Sequence, residues 1–347
     1  MRILIYSRTF WPNIGGLEAM MDLLARGFAK EGHNTTVVTV TPCEVEDDFS
    51  YEVLRQVSLP HLWRLARTSD VCLSASTSLR GISPLLLSGT PIVVSHQSWY
   101  SGAGDHLLLA QLKNDVSRLV TNVFASCAIA ERISAPGIVI PNAFDQNVFR
   151  QYSGAKKSED LVFVGRLVSD KGVDWLLRAL DLLAKQGRRP TLTIIGSGPE
   201  EEPLRKLVRE LNLGGQVRFG GLLRGELLAR EIARHRVMVV PSQWEEPFGI
   251  VALEGIACGC IVVGTDGGGL PEAIGPCGLL ARRGDIADLA NKIDRALVDV
   301  EGQKAMSAAA SDHLSRHTAD RIVTAYLNVL AVARVVRGRR SAVCISN

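Results

Sequence analysis

Short apolar runs alternate with longer stretches in which apolar residues recur every three or four positions, along nearly the whole chain. In the first half the short runs read as strands at Arg2 to Tyr6, Asn34 to Val40, Tyr51 to Arg55, Val71 to Ser74, Pro91 to Ser95, Asn122 to Ala125 and Gly137 to Ile140. Leu161 to Gly165, Thr191 to Gly196, Gln216 to Phe219, Val237 to Val240, Cys260 to Val263 and Gly278 to Ala281 continue the series. Most of the intervals have helical spacing, as in Leu17, Met20, Met21 and Leu24, or Val173, Leu176, Leu177 and Leu180. Strands alternating with helices predict parallel sheets covered by helices on both faces. Between Arg55 and Val71 there is room for one short helix, around Leu59 to Arg67.

The alternation pauses once. From Asn142 to Asp160 the chain is polar, with Ser-Gly-Ala-Lys-Lys-Ser at its centre, and this predicts a linker. A length of 347 residues exceeds what one core commonly supports. Two Rossmann-like doubly wound domains are therefore expected, over residues 1–145 and 146–330, with a basic tail at 331–347. In such folds ligands sit outside the carboxyl ends of the strands, so the expected site is a cleft between two facing sheets.

Composition changes this picture little. With 46% hydrophobic and 22% charged residues the chain is ordinary globular material. A net charge of +3 and the lack of a basic stripe with interleaved aromatics argue against a nucleic-acid partner. The 7 cysteines, Cys43, Cys72, Cys127, Cys258, Cys260, Cys277 and Cys344, lie mostly within apolar patterns and read as buried cytosolic thiols. The first strand follows Met1 and Arg2 directly, and no apolar run reaches the ~18 residues of a membrane span, so a cytoplasmic location is expected.

Candidate chemistry concentrates between Pro241 and Glu272, PSQWEEPFGIVALEGIACGCIVVGTDGGGLPE. If a helix starts near Phe248, after Pro247, then Glu254 has Ile250, Val251, Ala257 and Cys258 around it, a carboxylate on an apolar face. Such a group costs several kcal/mol if buried alone, so either it is exposed or paired donors meet it, as the two hydroxyls of a ribose would. The helix start beside it offers free N–H groups to a diphosphate. With Glu246 nearby, the arrangement suits a nucleotide sugar.

Four further segments end at the expected crevice. Gly15 and Gly16 open a helix after the first strand, either to let backbone N–H groups approach a phosphate or simply to enter the helix. Arg166 and Lys171 follow Leu161 to Gly165 and are suited to neutralising a diphosphate leaving group, or else solvate a loop. Gly196 and Gly198 hint at a dinucleotide fingerprint, but Glu201 replaces its third glycine and Glu200 to Glu202 would repel a pyrophosphate. His96 ends the strand Pro91 to Ser95, and Trp99 and Tyr100 beyond it either stack on a sugar or pack.

Other chemistries find little footing. His313 and His317 stand at i, i+4 without the glutamate of a zinc protease, and read as a surface pair. Cys258 and Cys260 have no second pair for zinc, Asp-x-Asp is absent, and the acidic group Glu44 to Asp48 reads as a solvated turn, so no metal or other cofactor is expected. Neither a Gly-x-Ser-x-Gly elbow nor a Walker lysine motif is present. Arg334, Arg337, Arg339 and Arg340 follow the apolar stretch Tyr326 to Val332, the pattern of a peripheral membrane contact or of a helix end solvated by arginines.

With these residues in view, the chain resembles the retaining GT-B glycosyltransferases, in particular glycosyltransferase family four. The resemblance rests on FWPNIGGLE, PNAFDQNVF, GRLVSDKG, GSGPEEEPLRKL, VRFGG, EPFGIVALEGIACG and DGGGLPE, in the family's order and nearly end to end. It implies a GT-B fold and metal-independent transfer, with retention, from a UDP- or GDP-sugar to a glycan or lipid-linked acceptor in bacterial-type polysaccharide or envelope synthesis. By resemblance Arg166 and Lys171 hold the donor diphosphate, helped by the Gly15-Gly16 turn and the backbone at Gly249 and Ile250. Glu254 holds the ribose, Glu246 contacts the transferred sugar, and His96 lies near its reacting side. The resemblance also implies that the last helix crosses back to the first domain. A GT-B epimerase and a non-catalytic binding subunit are the alternatives. The first half lacks the long insertions that shape acceptor sites in the family, which leaves the acceptor unassigned.

Overall fold

The computed structural model describes residues 1–13, 15–43, 48–99, 107–133, 135–152, 154 and 156–343. Ile14, most of the acidic group Glu44 to Asp48, Tyr100, Ser153, Ala155, Cys344 and the side chains of Arg337, Arg339 and Arg340 lie outside the described residues. Two units emerge: Met1–Ala143 with Ala319–Asn347, and Phe144–Thr318.

The first unit runs β1 (Arg2–Ser7), α1 (Gly16–Lys30), β2 (Asn34–Thr39), β3 (Glu52–Arg55), α2 (Leu59–Thr68), β4 (Val71–Ser74) and α3 (Leu79–Ser88). It continues through β5 (Ile92–His96), α4 (Leu107–Ser117), β6 (Thr121–Phe124), α5 (Cys127–Arg132) and β7 (Gly137–Val139). All pairings are parallel, in the order β3-β2-β1-β4-β5-β6-β7. The central strands are apolar on both faces, as a sheet covered on both sides requires. Leu4, Tyr6, Val38, Cys72 and Val94 point to one layer, where Leu62 and Ala66 of α2 and Ile82 and Leu85 of α3 meet them.

The second unit runs β8 (Glu159–Val164), α6 (Val173–Lys185), β9 (Leu192–Ile195), α7 (Glu201–Glu210), β10 (Val217–Gly221), α8 (Gly225–Ala233) and β11 (His235–Val240). Then follow α9 (Ile250–Ala257), β12 (Ile261–Thr265), α10 (Leu270–Ile274), β13 (Gly278–Ala281), α11 (Ile286–Val298) and α12 (Val300–Ser315). Its sheet order is β10-β9-β8-β11-β12-β13, again parallel. Chain order reverses between β8 and β11, which opens a crevice at their carboxyl ends. Leu176, Leu177 and Leu180 of α6 and Leu289 and Ile293 of α11 cover one face.

Each expected strand is present, with its ends within two residues of the expected positions. The domain limits differ. The crossing falls between Ala143 and Phe144, and most of the polar stretch that was expected to link the domains belongs to the second unit. Phe144 and Phe149 are buried there, and Lys157 Nζ donates to the Cys258 carbonyl at 3.0 Å. The last helix, α13 (Ala319–Val343), belongs to the first unit from its start rather than from residue 331. The reason is its buried stripe of Ile322, Val323, Tyr326 and Leu330, since the helix packs on α1, β4 and β5. Among the described residues no helix is long and apolar enough to cross a membrane. Cys72, Cys258, Cys260 and Cys277 are buried as expected, but Cys127 is exposed at the start of α5 and Cys43 is half-buried.

Candidate functional site

The loops after β8 and β11 are joined by hydrogen bonds. A 3-10 turn at Ser169–Lys171 presents the Asp170 carbonyl, which accepts from the backbone N–H of Gln243 at 2.9 Å and of Trp244 at 3.2 Å. On this frame Lys171 Nζ meets Glu246 Oε1 at 2.6 Å. The same oxygen accepts from Ser242 Oγ at 2.6 Å. Ser242 itself is held by Thr265 Oγ1, which donates to its carbonyl at 2.8 Å. Two charges drawn this far out of water need each other. Arg166, on the same loop, is exposed, and its guanidinium has no hydrogen bond or ion pair among the described residues. The structure thus brings Lys171 and Glu246 together, while Arg166 is an exposed cation on the loop after β8.

The helix that was expected to begin near Phe248 begins at Ile250. Gly249 caps it at φ 101°, a left-handed conformation that only glycine adopts without strain, and no side chain caps its N-terminus. The loop is pinned from β12, because Gly269 N–H donates to the Glu246 carbonyl at 2.8 Å and Glu246 bridges to Gly268. The first N–H groups of α9 are therefore presented by a constrained turn.

Glu254 lies one turn along α9 and is half-buried. Its carboxyl has no hydrogen bond or ion pair among the described residues. Burial pushes its carboxyl up to about 7, and the neighbouring Asp145 carboxylate adds to the rise. The sequence left exposure and a set of paired donors open, and the carboxyl lies between them, half-buried with its charged form disfavoured.

Gly196 and Gly198 are required by close approach of the backbone. A side chain on Gly196 would strike the Gly165 carbonyl, and one on Gly198 the Leu167 carbonyl. Leu167 N–H donates to Ser197 O at 2.9 Å and Glu200 N–H to Leu167 O at 3.0 Å, which zips the loops after β8 and β9 together.

In the first unit, Gly15 and Gly16 start α1 with the Glu18 carboxylate lying against Gly15, so an acidic group already faces that helix start. His96 ends β5 and is 1% exposed. Asn122 Nδ2 donates to the carbonyls of Ser117 at 2.7 Å and Pro136 at 2.8 Å. This turns Asn122 Oδ1 toward the imidazole, where it accepts from His96 Nε2 at 2.9 Å. Phe124 stacks on the ring at 5.0 Å. Burial lowers the His96 pKa to about 4, against a smaller opposing effect of the Asn122 bond. Its neighbour Ser95 joins a buried chain that runs from Asn142 through Gln97 to Ser95 and Tyr326, with contacts of 2.7, 2.9 and 2.7 Å.

Ser242, Asn122 and Asp145 escaped the reading of the sequence. Ser242 sits within the PSQWEEPFG run, and its place four residues before Glu246 at a strand end was the only signal. Asp145 lies within PNAFDQNVF, but its approach to Glu254, like the contacts of Asn122 with His96 and Pro136, joins positions distant in sequence.

Residues 145–313 match the family described as Glycosyl transferases group 1. An uncharacterized glycosyltransferase of Methanocaldococcus jannaschii is 26% identical, with 98% of this chain and 100% of that protein covered. The D-inositol 3-phosphate glycosyltransferase of Stackebrandtia nassauensis is 36% identical over 52% of this chain, which spans 44% of that relative. Among solved structures, Anabaena HepE in complex with UDP and glucose superposes with a TM-score of 0.81 at 19% identity, covering 95% of this chain and 99% of that one.

Proposed function

We propose that the chain, whose residues 145–313 match the glycosyl transferases group 1, is a glycosyltransferase that moves a sugar, with retention, from a nucleoside-diphosphate sugar to a hydroxyl of a glycan or lipid-linked acceptor. The observation that carries this reading is the Lys171–Glu246 pair at 2.6 Å, set with the open Arg166 at the chain-order reversal of the second sheet. A cation and a carboxylate held so closely are matched to the two halves of such a donor. The diphosphate takes Lys171 and Arg166, and a sugar hydroxyl takes the released Glu246. Gly249 and Ile250 add backbone N–H groups to the phosphates, and Glu254 receives the ribose hydroxyls.

In the reaction the bond between the anomeric carbon and the leaving phosphate oxygen breaks as the acceptor oxygen bonds to that carbon on the same face. The acceptor proton passes to the departing phosphate. Arg166 and Lys171 stabilise the charge that grows there, the electrostatic effect that can supply several kcal/mol of barrier lowering. No metal enters this scheme. His96, committed to Asn122 and Phe124, fixes the end of β5 in the first unit and moves no proton in this scheme. We assign the reaction to the cytoplasm, as a step of bacterial-type polysaccharide or envelope synthesis.

The test is donor hydrolysis across UDP-, GDP- and ADP-sugars, in EDTA and in magnesium, with Glu246→Ala as control. Release of one nucleoside diphosphate in EDTA, lost in the variant, supports the proposal. Binding of a nucleotide without turnover in the presence of acceptor mixtures favours a binding subunit, and isomerised donor favours an epimerase.

A further inference from the structure

His313 and His317, expected at the surface, are buried at 6% and 5% exposure. His313 Nε2 bonds the Ala273 carbonyl of α10 at 2.8 Å, and its ring lies 4.9 Å from that of His317. The His317 ring in turn lies 5.6 Å from Phe248, tilted by 44°. Phe248 is buried and directly precedes Gly249, the left-handed cap of α9.

The His317 backbone is also engaged. Its carbonyl accepts from Phe144 N–H at 3.2 Å, and Phe144 forms a parallel bridge with Thr318. Phe144 and Thr318 are the first and last residues of the second unit, so the chain enters and leaves that unit at one hydrogen-bonded point. The loop that starts α9 is thus held from two directions. Glu246, Gly268 and Gly269 fix it from the β12 side, and the row Phe248, His317, His313 fixes it from the side where the chain enters and leaves. Close-packed rings transmit displacement because the interior has little free volume.

We infer that His317 is a positioning residue for the transfer reaction, which, by packing on Phe248, sets the N–H groups of Gly249 and Ile250 at the donor diphosphate. The inference rests on the donor-site reading above. It gives a buried histidine outside every motif of the site a defined effect on one part of the donor. Phosphate binding by N–H groups depends on their direction, and misplacement of about 1 Å is enough to cost up to about 100-fold in such sites. The ribose is assigned to Glu254, one turn further along α9, where buried Leu253 and Ile256 fix the helix itself, so the nucleoside half depends less on this contact.

The experiment measures binding of UDP and uridine, or of GDP and guanosine if the donor panel selects that base, to the full chain and to His317→Ala. The variant is expected to bind the nucleoside diphosphate about tenfold more weakly, with nucleoside affinity unchanged and donor KM raised in parallel. Phe248→Leu, which removes the ring from the other side, should show the same selective loss and guards against misfolding of the first variant. Equal weakening of nucleoside and nucleoside diphosphate, or diphosphate binding unchanged in both variants, overturns the positioning role. Failure of the unaltered protein to bind any nucleoside diphosphate removes the donor-site reading itself.

Discussion

Lys171 Nζ and Glu246 Oε1 stand 2.6 Å apart, and Ser242 Oγ shares the same carboxylate oxygen. On the proposed donor site, a diphosphate that draws Lys171 away would leave Glu246 with Ser242 and an open position for a sugar hydroxyl. Lys171→Met and Glu246→Gln should each lower turnover by about 100-fold or more. Because the two act as one exchange, the double variant should be little worse than the poorer single variant. Steady-state kinetics on the preferred donor checks this, and near-normal turnover in either single variant would refute it.

Glu254 carries a proton in part at neutral pH, because burial and then Asp145 raise its pKa from 4.5 to about 7. A carboxyl that is more basic folded than unfolded favours the folded chain while protonated. That contribution is whole below about 4.5 and is lost as pH rises through about 7. Glu254→Gln should therefore gain stability relative to the parent between pH 6 and pH 8 while the two converge near pH 4.5, as read by urea unfolding. Nucleoside diphosphate binding should release more protons near pH 7 in the parent than in the variant, where only the terminal phosphate titrates, measurable by calorimetry in buffers of different ionisation enthalpy.

His96 behaves in the opposite sense. Its pKa falls from 6.5 to about 4 through burial, so the folded chain resists a proton that the unfolded chain accepts. The stability it contributes is present above pH 6.5 and drains away as pH falls toward 4. Replacement by Gln, which can still donate to Asn122, should flatten the loss of stability between those limits. Activity should show no imidazole titration from His96 between pH 6 and pH 8. An NMR titration placing the ring near its ordinary value would contradict the buried geometry.

Tyr326 tests the allegiance of the last helix. Its hydroxyl is buried on Ser95, and burial raises its pKa to about 12. Tyr326→Phe leaves Ser95 short of a partner and should cost about 1 kcal/mol. Truncation after Thr318 removes Ile322, Val323, Tyr326 and Leu330 together, each worth roughly 1.5–3 kcal/mol when buried. That truncated chain should lose the first unit while the second still unfolds cooperatively. An unchanged thermal profile would mean that α13 contributes nothing to the first unit.

The sequence by itself determined the elements and their kind. Apolar runs bounded by turn residues located β1 through β13 because a strand covered on both faces must be apolar throughout, and that signal is local. The positions of Arg166, Lys171, Glu246 and Glu254 were legible for the same reason, since strand ends and helix starts are local features. Only the tertiary structure decided who meets whom. Lys171 and Glu246 are 75 positions apart, and nothing in either segment says that the cation expected at phosphate rests on the carboxylate expected at sugar. The linker and the final helix were misjudged at their limits because composition there is polar or basic on one side. Burial of Phe144 and Phe149 with the second unit and of Tyr326 with the first depends on partners far along the chain. His313 and His317 read as a solvated pair because helical spacing shows a face and not its neighbour. Their burial against Phe248 and Ala273 was settled by the packing of α9 and α10, through contacts no local pattern encodes.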